Sequence, residues 1–150
     1  MTQHIRQQLR EAFAAQVTGL TTSGGRVYQS RIRNMAAADL PGLRVYSENE
    51  QIQDDDILAV PYLQHRTITV RCEAVAKATA NLDDMLDTMC KEVEVAISAN
   101  SMLGGLAKLH CSLSGTDIEM DDRSEQPAGK AVMTWKVVAL TMSNAPDVAL

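Results

Sequence analysis

The chain has 150 residues, of which 45% are apolar and 22% charged, and this is the size and balance of one folded domain. Its formal net charge of -5 argues against a nucleic-acid binder, because such a protein normally carries a basic face. No apolar run is long enough to span a bilayer, and three cysteines without CxxC spacing favour reduced thiols over a disulfide framework. We therefore expect a soluble protein made in the cytoplasm, with no membrane partner.

The first predicted element is an amphipathic helix near the N-terminus. Its apolar residues recur at helical spacing from Ile5 to Val17 and leave the charged residues on the other side. We expect Thr2 to be the N-cap and Gly19 to end the helix in a left-handed conformation.

Two strands and a long acidic segment are expected next. The stretch RVYQSRIR, residues 26–33, predicts a short strand. In AAADLPGLRVYS, residues 36–47, Pro41 excludes a helix, and the alternating apolar residues after it predict a second strand. The polar segment 47–64 has no periodicity, and it fits either a disordered loop or an extended hairpin. Excursions of this length in a small domain are usually functional.

The middle of the chain predicts a strand followed by the strongest helix. In RTITVRCEAVAK, residues 66–77, every second residue from Ile68 to Ala76 is apolar, which is typical of a half-buried strand. In NLDDMLDTMCKEVEVAISAN, residues 81–100, a continuous apolar stripe predicts a helix with Asn81 as N-cap.

The last third predicts a hairpin with an irregular first strand. Ile118 and Met120 have the opposite parity to the apolar residues before them, so we expect a β-bulge at Gly115–Thr116. Residues 143–150 are expected to be loosely held. The prediction is one α+β domain spanning 1–150, with a mixed or antiparallel sheet of four to five strands packed against two main helices.

The acidic stretch LSGTDIEMDDRSEQPAGK offers a possible metal site. A calcium loop counted from Asp117 needs glycine at its sixth position and a carboxylate at its twelfth, and these positions hold Asp122 and Ala128. Asp117, Glu119 and Asp121 share one strand face, where a hard cation could bridge them. Because the following residues have the chemistry of a hairpin tip, we interpret the stretch as a solvated tip, and we expect no metal and no cofactor.

The sequence shows no catalytic motif. No serine or cysteine lies in a G-x-S-x-G elbow, and neither TTSGGR nor LGGL matches a phosphate-binding loop. A triad assembled across the fold is still an open alternative, since triads are defined by geometry. The expectation is a protein that is not an enzyme and has no catalytic residues.

Two charged patches of opposite sign suggest self-association. Arg31 and Arg33 lie together with Arg26, and the segment 48–56 is acidic. The arginines could simply protect an edge strand from pairing. Alternatively, complementary patches on one chain fit a ring in which each subunit binds the next head to tail.

The order of these motifs resembles a known family. The resemblance covers roughly residues 3–141 and rests on the order of the motifs. That order is an N-terminal helix, RVY, DLPGLRVYS, an acidic loop, a long strand, the helix LDDMLDTMCKEVEVAI, LGGL, LSGTDIEMD and the closing strand GKAVMTWKVV. This arrangement is similar to the minor tail protein U group, the tail terminators of long-tailed, non-contractile phages. The segment 47–64 does not align with the family pattern.

The resemblance implies a structural role in a virion. Such proteins form a six-fold ring at the head-proximal end of the tail tube, stop its polymerisation, and present a surface to the head-completion or neck protein, while the genome passes through the channel. The residues we expect at interfaces are charged and lie in the three segments just described: Arg31, Arg33, Glu48, Glu50, Asp54, Asp55, Asp56, Asp121, Asp122 and Arg123. The alternatives are a neck or head-completion protein and, in a different class, a small cytoplasmic ligand-binding or enzymatic domain.

Overall fold

The computed structural model describes residues 2–32, 34–55, 57–78, 80–121 and 127–150. These residues form helices α1 (Ile5–Gln16) and α2 (Leu82–Ala99), together with short 3₁₀ turns at Ala37–Asp39 and Leu103–Gly105. The described strands are β1 (Val27–Tyr28), β2 (Gly42–Asp54), β3 (Leu63–Lys77), β4 (Ser112–Asp121) and β5 (Ala128–Met142). The predicted α+β class with two main helices is confirmed.

The strands form one mixed sheet in the order β1-β2-β3-β5-β4. β1 is parallel to β2, and all other neighbours are antiparallel. The β3–β5 pairing is continuous from Lys77–Ala128 to Leu63–Met142 and forms the centre of the sheet. The β2–β3 hairpin and β4 therefore lie on opposite flanks of the molecule.

One face of the sheet, here called the helix-side face, packs against α1 and α2. The alternating residues predicted for β3 are all buried there, and the corresponding residues of β5 join them in one core. Phe13 of α1 meets Trp135 of β5 edge to face, with ring centroids 5.7 Å apart. The other face, here called the outer face, carries Arg71, Glu73 and Lys130.

The helix boundaries correct two details of the prediction. α1 begins at Ile5, and its N-cap is His4, whose Nδ1 accepts a hydrogen bond from the backbone N–H of Arg6; the prediction of Thr2 was wrong. Asn81 does occupy the N-cap position of α2, but at a φ of 60° its side chain makes no capping hydrogen bond. Gly19 follows α1 with a φ of +87°, as expected of the residue that reverses the chain.

The polar segment 47–64 is an extended hairpin, so the disordered-loop alternative was wrong. β2 runs on to Asp54 and pairs with β3 through Gln64, with an irregularity between Ser47 and Asn49. The stretch 26–33, by contrast, contributes only the two residues of β1 to the sheet. The β propensity of these residues predicted a longer strand than the structure contains, since β1 pairs with β2 at two positions only.

The predicted bulge in β4 is present one residue earlier than expected. The register shifts between Leu113 and Gly115, and this shift brings Ile118 and Met120 onto the helix-side face. The change in which alternate residues are apolar required one extra residue in this region of β4, but that change alone did not identify which residue forms the bulge.

The C-terminal residues 143–150 are held in place, which corrects the expectation of a loose tail. The carbonyl of Pro146 accepts the N–H of Ile5, and the N–H of Leu150 donates to Leu140. The side-chain amide of Gln8 also donates to the carbonyl of Asp147. These bonds tie residues 143–150 to the start of α1 and to β5, so this segment belongs to the fold.

Candidate functional site

The acidic residues predicted for subunit contact lie on β2, and the structure gives them different surroundings. Glu48 accepts a hydrogen bond from Nε of Arg71 on the outer face. Glu50 points to the helix-side face, where its Oε1 lies 3.0 Å from Arg6 and 3.1 Å from Arg66. Its side chain is 8% exposed, so this carboxylate holds the hairpin against α1 in the folded chain and is not displayed to a neighbour.

Arg66 is the buried partner in this cluster. Its side chain is 6% exposed, and its guanidinium donates to Thr141 and Gln64 at 2.8 Å each, besides Glu50. A buried guanidinium needs such a complete set of acceptors, because the loss of solvation is otherwise unfavourable. Position 66 lies on the same face of β3 as the predicted apolar residues Ile68 to Ala76, but its charge argued for the surface.

The acidic residues at the end of the hairpin are on the surface. Asp55 is 54% exposed and meets Nε2 of His65 at 2.9 Å, while Asp54 accepts a hydrogen bond from Gln64 at 3.3 Å. Asp56 lies outside the described residues. This end of the hairpin therefore displays negative charge, and the contact with a neighbour expected for Asp54 and Asp55 stays a prediction.

The turn between β2 and β3 also displays apolar side chains. Ile57, Leu58 and Val60, here called the apolar tip, are 62%, 93% and 81% exposed. A cluster of exposed aliphatic side chains in a folded protein often marks an interaction site. Sequence reasoning missed this feature because ILAV follows directly on acidic residues, although an uncharged run at a hairpin end was a readable signal.

The predicted arginine patch lies on the same flank as the acidic hairpin. The guanidinium of Arg31 lies over the ring of Tyr46 in β2, 5.7 Å from its centroid. Arg26 is engaged inside the chain, since it donates to the carbonyls of Pro41 and Thr22. Arg33 lies outside the described residues. A head-to-tail ring needs complementary surfaces on different sides of the subunit, so Arg31 is poorly placed to bind the acidic hairpin of a neighbour.

The second acidic segment forms an exposed edge strand. Asp117, Glu119 and Asp121 share the outer face as predicted, and Glu119 meets Nζ of Lys130 at 3.3 Å. Leu113 is the one residue of β4 that is even partly buried. The predicted contact residues Asp122 and Arg123 lie outside the described residues.

A buried carboxylate on the outer face was not anticipated from the sequence. Glu73 is 2% exposed and lies 2.7 Å from Arg44 and 3.4 Å from Lys130. Burial alone would raise its pKa, but hydrogen bonds from Arg44 and Tyr46 and the charges of Arg44 and Lys130 bring the pKa below its usual value. These contacts link β2, β3 and β5, which makes Glu73 a structural residue.

A small basic surface lies on the opposite flank, just before β4. Lys108, Leu109 and His110, here called the basic loop, are all exposed, with Leu109 at 58%. The N–H of Lys108 donates to the carbonyl of Val138 at 2.7 Å, which fixes the loop against the edge of β5. Nδ1 of His110 is 2.6 Å from the hydroxyl of Ser101.

The described residues show no assembled catalytic constellation. Ser101 and His110 form a pair on the surface, and within the described chain no carboxylate is hydrogen-bonded to either side chain. Burial raises the pKa of Cys90 and of Cys111 to about 11, and raises that of Cys72 further, so the thiols are poor nucleophiles. A groove of about 360 Å³ is lined by Val75, Glu119, Met120, Asp121, Ala128, Gly129 and Lys130, a set without serine, threonine, cysteine or histidine.

Neither a metal cluster nor a membrane helix is found in the part of the chain that the structure describes. No group of three or more histidine, cysteine, aspartate or glutamate side chains there is close enough to hold an ion. None of the described helices combines the length and the apolar character needed to cross a bilayer.

Comparisons with known proteins add little. No protein-family model matches the chain, and no curated protein sequence is significantly similar to it. Among solved structures, the chain is similar to one from the virion of a native gene transfer agent particle, with 15% identity and a TM-score of 0.31. The match covers 90% of this chain and 92% of the other. A TM-score of that size carries no argument about function.

Proposed function

We propose that this protein is a structural component of a virion, the tail terminator of a long-tailed phage, and that it acts as a ring on the head-proximal end of the tail tube. The observation that carries the proposal is the order of elements, which is α1, β1, the β2–β3 hairpin, α2 and the β4–β5 hairpin. These elements contain, in the same order, the sequence motifs that resemble the minor tail protein U group. The apolar tip supports an assembly role, because its aliphatic side chains are 62–93% exposed and such clusters in folded proteins often mark interaction sites.

The proposed mechanism is the blocking of a growing end. A polymerising tube presents unsatisfied surface to the next subunit, and a ring that binds this surface without reproducing it stops further addition. The opposite side of the ring then offers a surface to the head-completion or neck protein. No catalysis and no cofactor are required for this function.

The proposed partners follow from that position. They are further copies of this chain in a six-fold ring, the tube protein on one side, and the neck protein on the other. Phage DNA passes through the channel without specific binding, which suits a chain with a net charge of -5 because like charge does not retain phosphate. Assembly takes place in the host cytoplasm, and the mature protein is in the virion.

Electron microscopy of the protein mixed with polymerised tail-tube protein encoded nearby tests the proposal. We expect rings at one end of each tube and a stop to tube growth. Tubes that stay bare and keep growing would contradict a terminator. In that case, rings that bind the isolated head connector instead would indicate a neck or head-completion protein.

A ligand screen separates the proposal from an enzymatic or ligand-binding role. A specific small ligand raises the apparent stability of a folded protein by mass action, so thermal shifts with metals and common metabolites are informative. We expect no shift. A reproducible increase in Tm with one compound would replace the structural proposal with a ligand-binding one.

A further inference from the structure

We infer that the apolar tip of one subunit binds the basic loop of the next, and that this contact is the one that builds the ring; the inference rests on the proposed function. The two surfaces differ in chemistry in a complementary way. The tip combines exposed aliphatic side chains with Asp54 and Asp55, while the basic loop combines Leu109 with Lys108 and His110. A second copy of this chain therefore offers a matching partner for each surface.

Position supports the pairing as strongly as chemistry does. The tip closes the β2–β3 hairpin on one flank of the sheet, and the basic loop precedes β4 on the other flank. Contacts between different surfaces on opposite flanks are heterologous, and such contacts close into rings when the rotation between copies allows it. Two surfaces on the same flank, such as Arg31 and the acidic hairpin, do not provide this geometry.

The two surfaces also lie toward the same end of the strands. The basic loop is bound to Val138, which pairs with Thr67, and the tip adjoins Leu63, which pairs with Met142. Four residues of strand separate these levels, roughly 13 Å at the usual rise. Because the tip residues 57–60 lie beyond Leu63, neighbouring copies must be tilted or shifted along the strands by at least this distance for the tip to reach the loop.

The charges make the contact selective. Among the described residues, no carboxylate lies within ion-pair distance of Lys108, so its ammonium is available to a neighbour. Asp54 and Asp55 surround the tip with negative charge, which disfavours the contact of two tips and favours the contact of tip with loop.

Cysteine cross-linking between separate chains tests the contact directly. Leu58→Cys in one preparation and Leu109→Cys in another are mixed under mild oxidation. Val95→Cys replaces Leu109→Cys as the control, because Val95 is 63% exposed on α2 and belongs to neither surface. We expect a covalent dimer from the first mixture and at least tenfold less from the control. Equal yields in the two mixtures, or no dimer in either, would overturn the inference.

Charge exchange provides an independent readout. Asp54→Lys with Asp55→Lys in one chain should abolish ring formation, and adding Lys108→Glu to that same chain should restore rings seen by native mass spectrometry. Rings that persist in the double variant and still cap tubes would refute this interface while leaving the terminator function intact. If the unmodified chain neither forms rings nor caps tubes, the proposed function itself fails.

Discussion

The two long hairpins are both rich in acidic residues, yet the fold uses them differently. In β2–β3 the carboxylates of Glu50 and Glu73 are buried and paired with arginine, whereas in β4 the carboxylate of Glu119 is 62% exposed and faces Lys130 at the surface. Glu73 is buried because β3 is the central strand and has neighbours on both sides, whereas Glu50 of β2 is covered by Arg6 of α1 and by Arg66. An acidic residue in a strand therefore says little about function until its burial is known.

The largest expected effect in this comparison is the loss of Glu50. Glu50→Ala removes the carboxylate between Arg6 and Arg66 and leaves the guanidinium of Arg66 buried without its charge partner. Removing one partner of a buried ion pair typically costs about 3–5 kcal/mol. Urea denaturation of the purified variant measures this loss.

Glu119→Ala is the matched control on the other hairpin. Its ion pair with Lys130 is exposed, and such pairs contribute roughly 0–1 kcal/mol. If the two variants have equal free energies of unfolding, the contrast between a buried and an exposed hairpin is wrong.

Backbone crowding at the two hairpins gives a smaller difference. A methyl group on Gly42, at the start of β2, would collide with the backbone carbonyl of Asp39 and lie 2.9 Å from the side chain of Met35, whereas one on Gly115 in β4 meets nothing within 4 Å. We expect Gly42→Ala to lower the free energy of unfolding by about 1–3 kcal/mol, the usual range for overpacking, and Gly115→Ala to leave it nearly unchanged. Thermal unfolding of both variants measures the difference, and a stable Gly42→Ala would contradict the close approach.

Periodicity predicted most of the fold, because a buried face imposes a repeat on the sequence. The stripe of α2 and the alternation from Ile68 to Ala76 each correspond to a buried face of the structure. Periodicity failed where a local cause overrides the alternation: Glu73, on the face predicted to be polar, is buried by its partners, and the register of β4 shifts before Gly115. Of the candidate site, the acidic residues were predicted, and the apolar tip was readable from the uncharged run at 57–60. The placement of tip and basic loop on opposite flanks follows from the strand order, which the sequence does not show.

The acid response should distinguish the two hairpins as well. The folded pKa of Glu73 is lowered, so its contribution to stability is present above the unfolded pKa of about 4.5 and is lost as the pH falls through the folded value. Glu73→Gln should therefore be less stable than the unmodified chain at pH 7, with a difference that shrinks below about pH 4.

Urea midpoints at pH 7, 5 and 3.5 follow this difference, with Glu119→Gln as the exposed control. If the difference in urea midpoint between Glu73→Gln and the unmodified chain is the same at all three pH values, the carboxylate contributes by packing and not by charge.

The smallest expected effect lies on β4, where apolar residues are on the helix-side face without being covered by a helix. Ile118 is 54% exposed there, while Ile68, on the same face of β3, is fully buried. Ile118→Thr should change the free energy of unfolding by no more than about 0.5 kcal/mol, as is usual for surface positions. Urea denaturation at two protein concentrations checks this, because a cost that appears only at the higher concentration would mean that the free edge of β4 is buried between copies. Such a result would move part of the ring contact from the basic loop to β4.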